Sequence, residues 1–426
     1  MSTTGIQLSK APSLDQWLEY QQQLHPQDIE LGLDRVRLLA DRLGIGPVDC
    51  PRVVVAGTNG KGSSIAMLES IFRTAGYRVG CYTSPHIENY CERLRIDGVV
   101  VSSQDFCDAF ARIEQVRSGT ELTYFEFGTL AALQILDAKQ VDVQLLEVGL
   151  GGRLDAVNIV DSDIALITQI AIDHVDWLGD TREQIGAEKA AIMRAARPCV
   201  CADPDLPQSV TDYADRLGSM LFRSGFEFGY GLPDQGLVWD WRSTDTVLEQ
   251  LPTPGLIGEF QAQNGAAVLE VVRLLQDRLP VSKQQIVDGL SQVKLAGRFE
   301  IVGSHPQWLL DVAHNPQACA ALAQNLDDLS VAGRRLGVLG MLEDKNIHAS
   351  LKPLLEIIDC WYLAAIDHPR GATEAMLQQV LLELGCQAPI RLFSSLADAI
   401  STASGDAQQN DQIVVFGSFH TVAAAR

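Results

Sequence analysis

The sequence is short of positive charge. It has 33 lysines and arginines against 54 aspartates and glutamates, which gives a formal net charge of −21 at pH 7 and a pI of about 4.7. A surface of this sign repels nucleic acid and anionic membranes, so the composition excludes both as main partners. Small anionic substrates remain compatible with it if a few cations are concentrated in a site.

Several features that would define a class of protein are also missing. The nine cysteines include no C-x-x-C pair, and Cys199 and Cys201 come closest. An odd, dispersed set is typical of reduced thiols in the cytosol. The polar N-terminus lacks the apolar core of a signal peptide, no apolar run reaches membrane length, and there are no internal repeats. A cytoplasmic protein of 426 residues with two or three domains is therefore expected.

A glycine-rich loop follows the β-branched run Val53–Val55 and precedes an apolar helical pattern. Glycines let backbone N–H groups turn towards phosphate oxygens, a helix N-terminus adds partial positive charge, and Lys61 adds a full one. The Walker pattern does not fit, because Val55 and Gly62 stand where it needs a glycine and a hydroxyl residue. The alternative is a structural turn. The predicted nucleotide site comprises Gly57, Thr58, Asn59, Gly60, Lys61, Gly62 and Ser63.

Three polar residues stand where predicted strands end. Ser84 follows the strand Val79–Thr83, Glu147 lies near the end of a strand, and His174 comes shortly after another. Ligands of parallel α/β sheets collect at the carboxyl ends of strands, and Mg²⁺ takes a few oxygen ligands there. Taken alone, such a histidine or glutamate is more often a structural residue than a ligand.

Two stretches carry a family resemblance. The loop Gly57–Ser63 resembles the phosphate loop of the Mur ligase family. Tyr82-Thr83-Ser84-Pro85-His86, followed by Glu92-Arg93-Leu94-Arg95-Ile96, resembles its folylpolyglutamate synthase and dihydrofolate synthase branch. The resemblance extends over nearly the whole chain, and it implies that Ser84, Glu147 and His174 hold Mg²⁺.

The resemblance also implies roles for residues further along the chain. Lys189 matches a lysine that CO₂ carbamylates beside the metal, the alternative being a solvated lysine on a helix. The residues expected to bind ATP are Asn264, which opens a predicted helix, Arg298 and Asp311, with His314 close to the nucleotide. Arg298 lies in a predicted hinge, where an interdomain salt bridge is the alternative role. Asn346 departs from the family, which usually has an aspartate there.

The expected folate site consists of two stretches that resemble dihydropteroate-contacting segments of members having both activities. They contain Thr123, Tyr124, Phe125 and Glu126, and then Leu154, Asp155 and Ala156. Aromatic faces suit a pterin ring, and carboxylates suit its donor nitrogens. The alternative is that Tyr124 and Phe125 belong to the core.

The predicted fold is α/β, with a P-loop-type N-terminal ATPase domain at residues 1–296, a smaller Rossmann-like C-terminal domain at 297–426 and the active site in the cleft between them. The expected reaction is ATP-dependent ligation of L-glutamate to dihydropteroate and to reduced folates through an acyl phosphate. Mg²⁺ is the expected cofactor and ATP the co-substrate. The catalytic groups are expected to be Lys61, Lys189, Arg298 and His314.

Other functions are compatible with the same loop. A monofunctional folylpolyglutamate synthase, another Mur-type amide ligase, a P-loop kinase and a nucleotide switch are the alternatives. A cell-wall Mur ligase would be expected to carry an extra N-terminal domain, whereas only about fifty residues precede the first strand. A kinase or switch would not need glutamate. The expected oligomeric state is a monomer.

Overall fold

Residues 11–25, 27, 29–231 and 238–426 are described by this computed structural model. They divide into two units. Unit 1 takes the described parts of Met1–Ile170, Thr181–Thr253 and Gln263–Val293, and unit 2 takes Ala171–Asp180, Pro254–Ala262 and Lys294–Arg426. Two short segments of the first 296 residues, together with residues 294–296, thus group with unit 2, and the boundary at 296/297 remains a prediction.

Unit 1 is built on an eight-stranded sheet with the order β4-β3-β2-β5-β1-β6-β7-β8. The strands from β2 to β8 in this order are parallel, whereas β3 and β4 add an antiparallel edge. The central strands are buried on both faces, as a parallel sheet covered by helices requires. The strands are β1 Arg52–Ala56, β2 Val79–Tyr82, β3 Leu94–Ile96, β4 Val99–Val100, β5 Val143–Glu147, β6 Ile164–Ile167, β7 Pro198–Cys201 and β8 Met220–Arg223.

Five of the ten helices described in the first 296 residues begin at side-chain caps. Reciprocal capping boxes start several of them, including those at Ser13, Ser102 and Thr123. The helices are α1 Leu14–Leu24, α2 Asp34–Leu43, α3 Lys61–Thr74, α4 Ser103–Arg117, α5 Tyr124–Lys139, α6 Val175–Leu178, α7 Arg182–Ala190, α8 Gln208–Leu217, α9 Glu259–Leu274 and α10 Lys283–Gln292, with 3₁₀ turns at Tyr90–Arg93 and Ala156–Ile159. Within the described ranges, no helix is both long and apolar enough to cross a membrane.

A three-stranded antiparallel sheet completes unit 1, with β9 Phe228–Gly231, β10 Val238–Ser243 and β11 Val247–Pro252 in the order β11-β10-β9. Every second residue of β10 points inward, so Trp239 and Trp241 are fully buried. The indole N–H of Trp241 donates to the Ala266 carbonyl at 3.0 Å. This sheet therefore packs against α9.

Unit 2 contains a six-stranded sheet with the order β12-β13-β17-β14-β15-β16, in which only β12 is antiparallel to its neighbour. Its strands are β12 Glu300–Val302, β13 Gln307–Asp311, β14 Arg335–Leu339, β15 Cys360–Ala364, β16 Ile390–Phe393 and β17 Gln412–Phe416. Its later helices are α11 Pro316–Asp328, α12 Ile347–Leu351, α13 Glu374–Glu383, α14 Leu396–Asp406 and α15 Phe419–Ala423, with a 3₁₀ turn at Lys352–Leu354. The predicted α/β class is confirmed in both units.

One local prediction, the start of the helix that carries Asn264, was wrong. Residues 84–101 contain the 3₁₀ turn Tyr90–Arg93 and the β3–β4 hairpin at the sheet edge. Helix α5 begins at Tyr124, because Thr123 caps it. Helix α9 begins at Glu259, so Asn264 lies in its second turn and does not open the helix.

Candidate active site

The glycine-rich loop connects the buried strand β1 to the N-terminus of α3. Helix α3 begins at Lys61, so Gly62 and Ser63 form its first turn, and Gly60 is the N-cap residue. The ammonium of Lys61 donates to the carbonyls of Gly57 at 3.1 Å and Thr58 at 3.3 Å. The lysine thus folds back over the loop at the N-terminus of α3, and a helix N-terminus is a site where a phosphate can bind.

Two glycines of this loop lie where a side chain would collide with a neighbour. A Cβ at Gly57 would meet the hydroxyl of Thr168 at 1.8 Å, and one at Gly60 would meet Asn264 Oδ1 at 2.6 Å. Thr168 also donates to the Asn59 carbonyl at 2.7 Å, and the Thr58 N–H donates to a carbonyl at the end of β6. The loop is therefore held tightly in unit 1, with the amide of Asn264 beside it.

Ser84 and Glu147 come together at the carboxyl edge of the same sheet. Ser84 lies two residues beyond β2, Glu147 ends β5, and these strands are paired in parallel. The N–H of Ser84 donates to Glu147 Oε2 at 3.3 Å, and the carboxylate is buried. A hydroxyl and a buried carboxylate are oxygen donors of the kind that Mg²⁺ takes. Among the described residues, no three His, Cys, Asp or Glu side chains gather in a metal-binding group.

Lys189 is buried near the C-terminus of α7 and is not the solvated lysine of the alternative interpretation. The loop after β5 packs against this end of the helix. The Arg153 N–H donates to the Glu188 carbonyl at 2.9 Å, and a Cβ at Gly152 would lie 3.1 Å from Lys189 Cα. Burial of a bare ammonium is costly, which is compatible with the predicted carbamate.

The two stretches predicted to bind folate meet at Gly149. The half-buried Phe125 ring lies against this glycine, whose Cβ would be 2.6 Å from the ring. Asp155 closes the loop by accepting the N–H groups of Leu150 at 2.8 Å and Val157 at 2.9 Å. Burial raises the pKa of Asp155 to about 6, although these N–H groups oppose the rise. The aromatic ring of Phe125, on α5, therefore lies against the loop that carries the carboxyl group of Asp155. On the same loop, Leu154 is half-buried and Ala156 is buried.

The rest of the first stretch has structural partners. Glu126 accepts the Thr123 N–H at 2.8 Å, completing the capping box of α5, and binds the guanidinium of Arg35 at 2.9 Å. Tyr124 stacks with the buried Arg93, whose guanidinium lies 5.4 Å from the ring centroid. Of the four residues Thr123–Glu126, Phe125 is thus the one whose ring faces the loop of Asp155.

In unit 2, Asp311 ends β13 and accepts the N–H groups of Phe299 at 2.8 Å and Ala313 at 2.7 Å. Burial raises the pKa of this carboxyl, against the attraction of Arg298. The guanidinium of Arg298 lies 5.4 Å from the ring centroid of Phe419. His314 donates from Nδ1 to the Val312 carbonyl at 2.8 Å, and burial, with Lys345, lowers the pKa of the imidazole to about 4. His314 is therefore neutral at pH 7.

Sequence reasoning missed the ion pair of Lys345 with Asp173. The ammonium donates to the carboxylate at 2.7 Å, and both side chains are largely buried. His174 follows in the left-handed backbone region as the N-cap residue of α6, without a side-chain capping bond. His314 Nε2 lies 3.8 Å from Asp173 Oδ2. Burial raises the pKa of Asp173, but His174, Lys345 and His314 together lower it below its ordinary range. The feature of the sequence that could have indicated this ion pair is Asp173, which stands directly before the predicted ligand His174.

Comparisons with known proteins match this arrangement. The model of the Mur ligase middle domain matches residues 55–206, and that of the Mur ligase glutamate ligase domain matches 297–419. The dihydrofolate synthase/folylpolyglutamate synthase of Escherichia coli is 45% identical, with 97% of this chain and 94% of the relative covered. The enzyme of the same name from Haemophilus influenzae is 38% identical, with 98% of both chains covered.

Solved structures agree with the sequence relatives. E. coli FolC in complex with DHPP and ADP superposes with a TM-score of 0.90 at 44% identity, covering 97% of this chain and 96% of that one. A bifunctional folylpolyglutamate synthase/dihydrofolate synthase with Mn, AMPPNP and L-glutamate bound gives the same TM-score at 43% identity, covering 98% of both. The predicted family is confirmed: the chain belongs to the dihydrofolate synthase/folylpolyglutamate synthase family of Mur ligases.

Proposed function

We propose that this protein ligates L-glutamate to dihydropteroate, forming dihydrofolate, and to reduced folates, forming folylpolyglutamates, with ATP as co-substrate. The observation that carries the proposal is the arrangement within unit 1. The Lys61 loop, the Ser84–Glu147 pair and the Phe125–Gly149–Asp155 group are all built on the carboxyl ends of neighbouring strands β1, β2 and β5. A relative at 45% identity has this double name, which supports both activities.

The chemistry follows from the weakness of a carboxylate as an electrophile. A carboxylate oxygen of the pterin acid attacks the γ-phosphorus of ATP, the bond to ADP breaks, and an acyl phosphate forms. The glutamate amine then attacks the acyl carbon, loses a proton, and the C–O bond to phosphate breaks. Lys61 and the loop N–H groups hold the phosphates, and Arg298 supports charge on the transferred group.

We assign Ser84, Glu147 and His174 as the residues that would hold Mg²⁺, which supplies charge neutralisation to the ATP phosphates. Ser84 and Glu147 fit because the Ser84 backbone N–H already donates to a Glu147 carboxylate oxygen at the strand ends. We keep Asn264, Arg298 and Asp311 as ATP contacts, with the catalytic role of His314 that of a neutral hydrogen-bonding group. A carbamate on the buried Lys189 would add a negative group.

Phosphate release and product mass together test the proposal. The purified protein is given ATP, Mg²⁺ and L-glutamate with either dihydropteroate or a tetrahydrofolate. We expect release only with all components, and a product heavier by one glutamate residue in each case. Phosphate release without glutamate would point to a nucleotide switch, whereas ADP formation with a stable phosphorylated product would point to a kinase. Product from the tetrahydrofolate alone would leave a monofunctional folylpolyglutamate synthase.

Two further assignments complete the proposal. We place the enzyme in the cytoplasm, because its nine cysteines are dispersed and all of them are free thiols. We also propose that it works as a monomer. Size-exclusion chromatography with light scattering on the active enzyme tests the second assignment, and a stable dimer would overturn it.

A further inference from the structure

A largely buried cation, Arg95, lies beside the proposed metal site of unit 1. Arg95 belongs to β3, and its cross-strand partner on β2 is Cys81. Cys81 pairs in turn with Leu145 on β5. Residues paired across strands point to the same face of a sheet, and so do residues two apart on one strand. The side chain of Arg95 therefore lies on the same face as that of Glu147, which is two residues beyond Leu145.

The guanidinium of Arg95 also contacts the turn that carries Ser84. Its Nη1 donates to the Thr83 hydroxyl at 3.3 Å and to the Glu92 carbonyl at 3.4 Å. The N–H of Thr83 donates to the Arg93 carbonyl at 2.8 Å, which fixes this turn against β3. Thr83 directly precedes Ser84 in the sequence. A positive charge thus contacts the neighbour of a proposed metal ligand.

Glu69 of α3 holds this guanidinium in a two-pronged ion pair. Arg95 Nη2 lies 2.8 Å and Nε 3.2 Å from Glu69 Oε2, and Nε lies 3.4 Å from Oε1. The side chains of Glu69 and Arg95 are only 8% and 19% exposed. In the described part of the chain, Glu69 is the one carboxylate within ion-pair distance of Arg95. The pair therefore ties the sheet edge to the helix that begins at the glycine-rich loop.

The charge of Arg95 is permanent, and it acts on Glu147. Burial lowers the pKa of Arg95, but its interactions with Cys81, Glu69 and Glu147 raise that pKa above its ordinary value. Without a partner, such a cation would attract the Glu147 carboxylate and repel a divalent metal ion. Paired with Glu69, it adds little net charge to the surroundings of the site. The planar fork of the guanidinium also matches a carboxylate, so the pair fixes its direction.

We propose that Glu69 is a positioning residue for the metal site. Its carboxylate neutralises Arg95 and holds the guanidinium on α3, so that Glu147 can bind Mg²⁺. The inference rests on the proposed function, which assigns Ser84 and Glu147 to Mg²⁺. It adds a residue that contacts neither of these ligands and acts through Arg95. Loss of the Glu69 charge should therefore weaken metal binding only while Arg95 keeps its own charge.

The test measures Mn²⁺ binding by electron paramagnetic resonance, with AMPPNP present and both the pterin acid and glutamate left out. Mn²⁺ bound to AMPPNP alone is measured without the protein and subtracted. We expect Glu69→Gln to raise the Kd for Mn²⁺ about 10- to 100-fold, because an unbalanced charge then acts through the protein interior. Glu69→Gln combined with Arg95→Met should return this Kd to within about threefold of the wild type, because both charges of the buried pair are removed.

Asp411→Asn is the matched control. Asp411 is also a buried carboxylate, 3% exposed, and it pairs with Arg334 at 2.7 Å in unit 2. Breaking a buried ion pair should lower the thermal stability in Asp411→Asn and in Glu69→Gln alike. Only Glu69→Gln should weaken Mn²⁺ binding. The Mg²⁺ concentration that gives half-maximal ligation should rise in Glu69→Gln by a factor similar to the change in Kd.

An unchanged Kd for Mn²⁺ in folded Glu69→Gln would overturn the inference. A double variant that binds Mn²⁺ as weakly as Glu69→Gln would also overturn it, because the loss would then come from packing and not from the charge of Arg95. A wild type that binds no more Mn²⁺ than AMPPNP alone does would instead remove the metal assignment of the proposed function, which is a different result.

Discussion

Lys61 is a single residue with two structural tasks, since it begins α3 and its ammonium binds the loop carbonyls. We expect Lys61→Ala to lower kcat about 10²–10³-fold, because one charge-assisted contact to the transferring phosphate is lost. Quenched-flow or coupled phosphate assays measure this change in kcat. The control is Lys283→Ala, an exposed lysine that donates to the Glu249 carbonyl. Turnover close to that of the wild type in a folded Lys61→Ala would remove this residue from the mechanism.

Asp155 should make folate binding depend on pH. In the free protein, the pKa of this carboxyl is raised by burial to about 6 from its ordinary value of 3.8. The donor nitrogens of a pterin need the carboxylate form, so the KM for dihydropteroate should rise as the pH falls through about 6. In Asp155→Asn this pH dependence should disappear. An identical profile in the variant would assign the titration to another group.

The raised pKa of Asp155 also makes the stability of the fold depend on pH, and this dependence has the opposite sign to that of folate binding. Because the folded pKa lies above the unfolded one, the folded state holds more protons between pH 3.8 and about 6, and stability from Asp155 falls as the pH rises through this window. We expect Asp155→Asn to flatten the pH dependence of the free energy of unfolding there. Urea titrations at several pH values measure it.

Asp155 should also separate the two ligations. The reactive carboxylate of dihydropteroate ends at the benzoate, whereas that of a folate lies one glutamate further out, so the pterin must occupy different positions. We expect Asp155→Ala to lower dihydropteroate ligation much more than glutamate addition to a tetrahydrofolate, with the KM for ATP unchanged. Equal losses on both substrates would place Asp155 in the shared ATP or glutamate site.

Lys189 is expected to be carbamylated in the active enzyme. Lys189→Ala should be inactive, and small carboxylic acids such as acetate should restore part of the activity by filling the vacated space. A crystal structure with ATP is the direct measurement. A bare ammonium at this buried position, together with no rescue, would contradict the prediction.

At the scale of elements, the turn from β1 into α3 depends on Gly60. It has φ +92°, and its Cβ would meet Asn264 Oδ1 at 2.6 Å. Gly76 is a matched control, with φ +91° and no atom within 4 Å of its Cβ. We expect Gly60→Ala and Gly76→Ala each to cost about 1 kcal/mol of stability from the left-handed backbone. Only Gly60→Ala should raise the KM for ATP, about tenfold or more, because the methyl displaces the Asn264 amide.

Calorimetry and ATP kinetics on the two variants separate these effects. A normal KM for ATP in Gly60→Ala would mean that Asn264 yields without consequence. Equal KM increases in both variants would mean that strain alone, independent of the nucleotide loop, weakens ATP binding.

Most elements could be predicted from sequence, because hydrophobic periodicity and caps are local signals. The apolar run before Gly57 predicts β1, and Thr123 followed by Glu126 is the pattern of the capping box that begins α5. The hairpin of β3 and β4 could not be predicted in the same way, because its strands are three and two residues long and are stabilised by pairing with β2. The pairing of residues distant in sequence, such as Asp173 with Lys345, cannot be predicted from a local pattern, although Asp173 itself stands directly before the predicted ligand His174.

At the scale of the whole molecule, a net charge of −21 opposes substrates that are themselves anions. Salt shortens the range of this repulsion to about 10 Å at 0.1 M. We therefore expect kcat/KM for dihydropteroate to increase about two- to threefold between 20 and 150 mM NaCl, as screening of a repulsive field does. Potassium acetate at the same ionic strength should increase kcat/KM for dihydropteroate by the same factor. A fall in kcat/KM would mean that site cations such as Arg298 dominate the approach of the substrate.

The two tryptophans of β10 give unit 1 an internal optical probe. The ring of Trp239 lies against Gly265, and the indole N–H of Trp241 donates to the Ala266 carbonyl. Gly265 and Ala266 are the two residues that follow Asn264 on α9. A buried indole emits at short wavelength, and its quantum yield changes when the dipoles around it move. A nucleotide that moves the Asn264 amide should therefore also move Gly265 and Ala266, which contact the rings of Trp239 and Trp241. Tryptophan emission should consequently report occupancy of the glycine loop in the unlabelled protein, in real time and at concentrations suited to stopped-flow mixing.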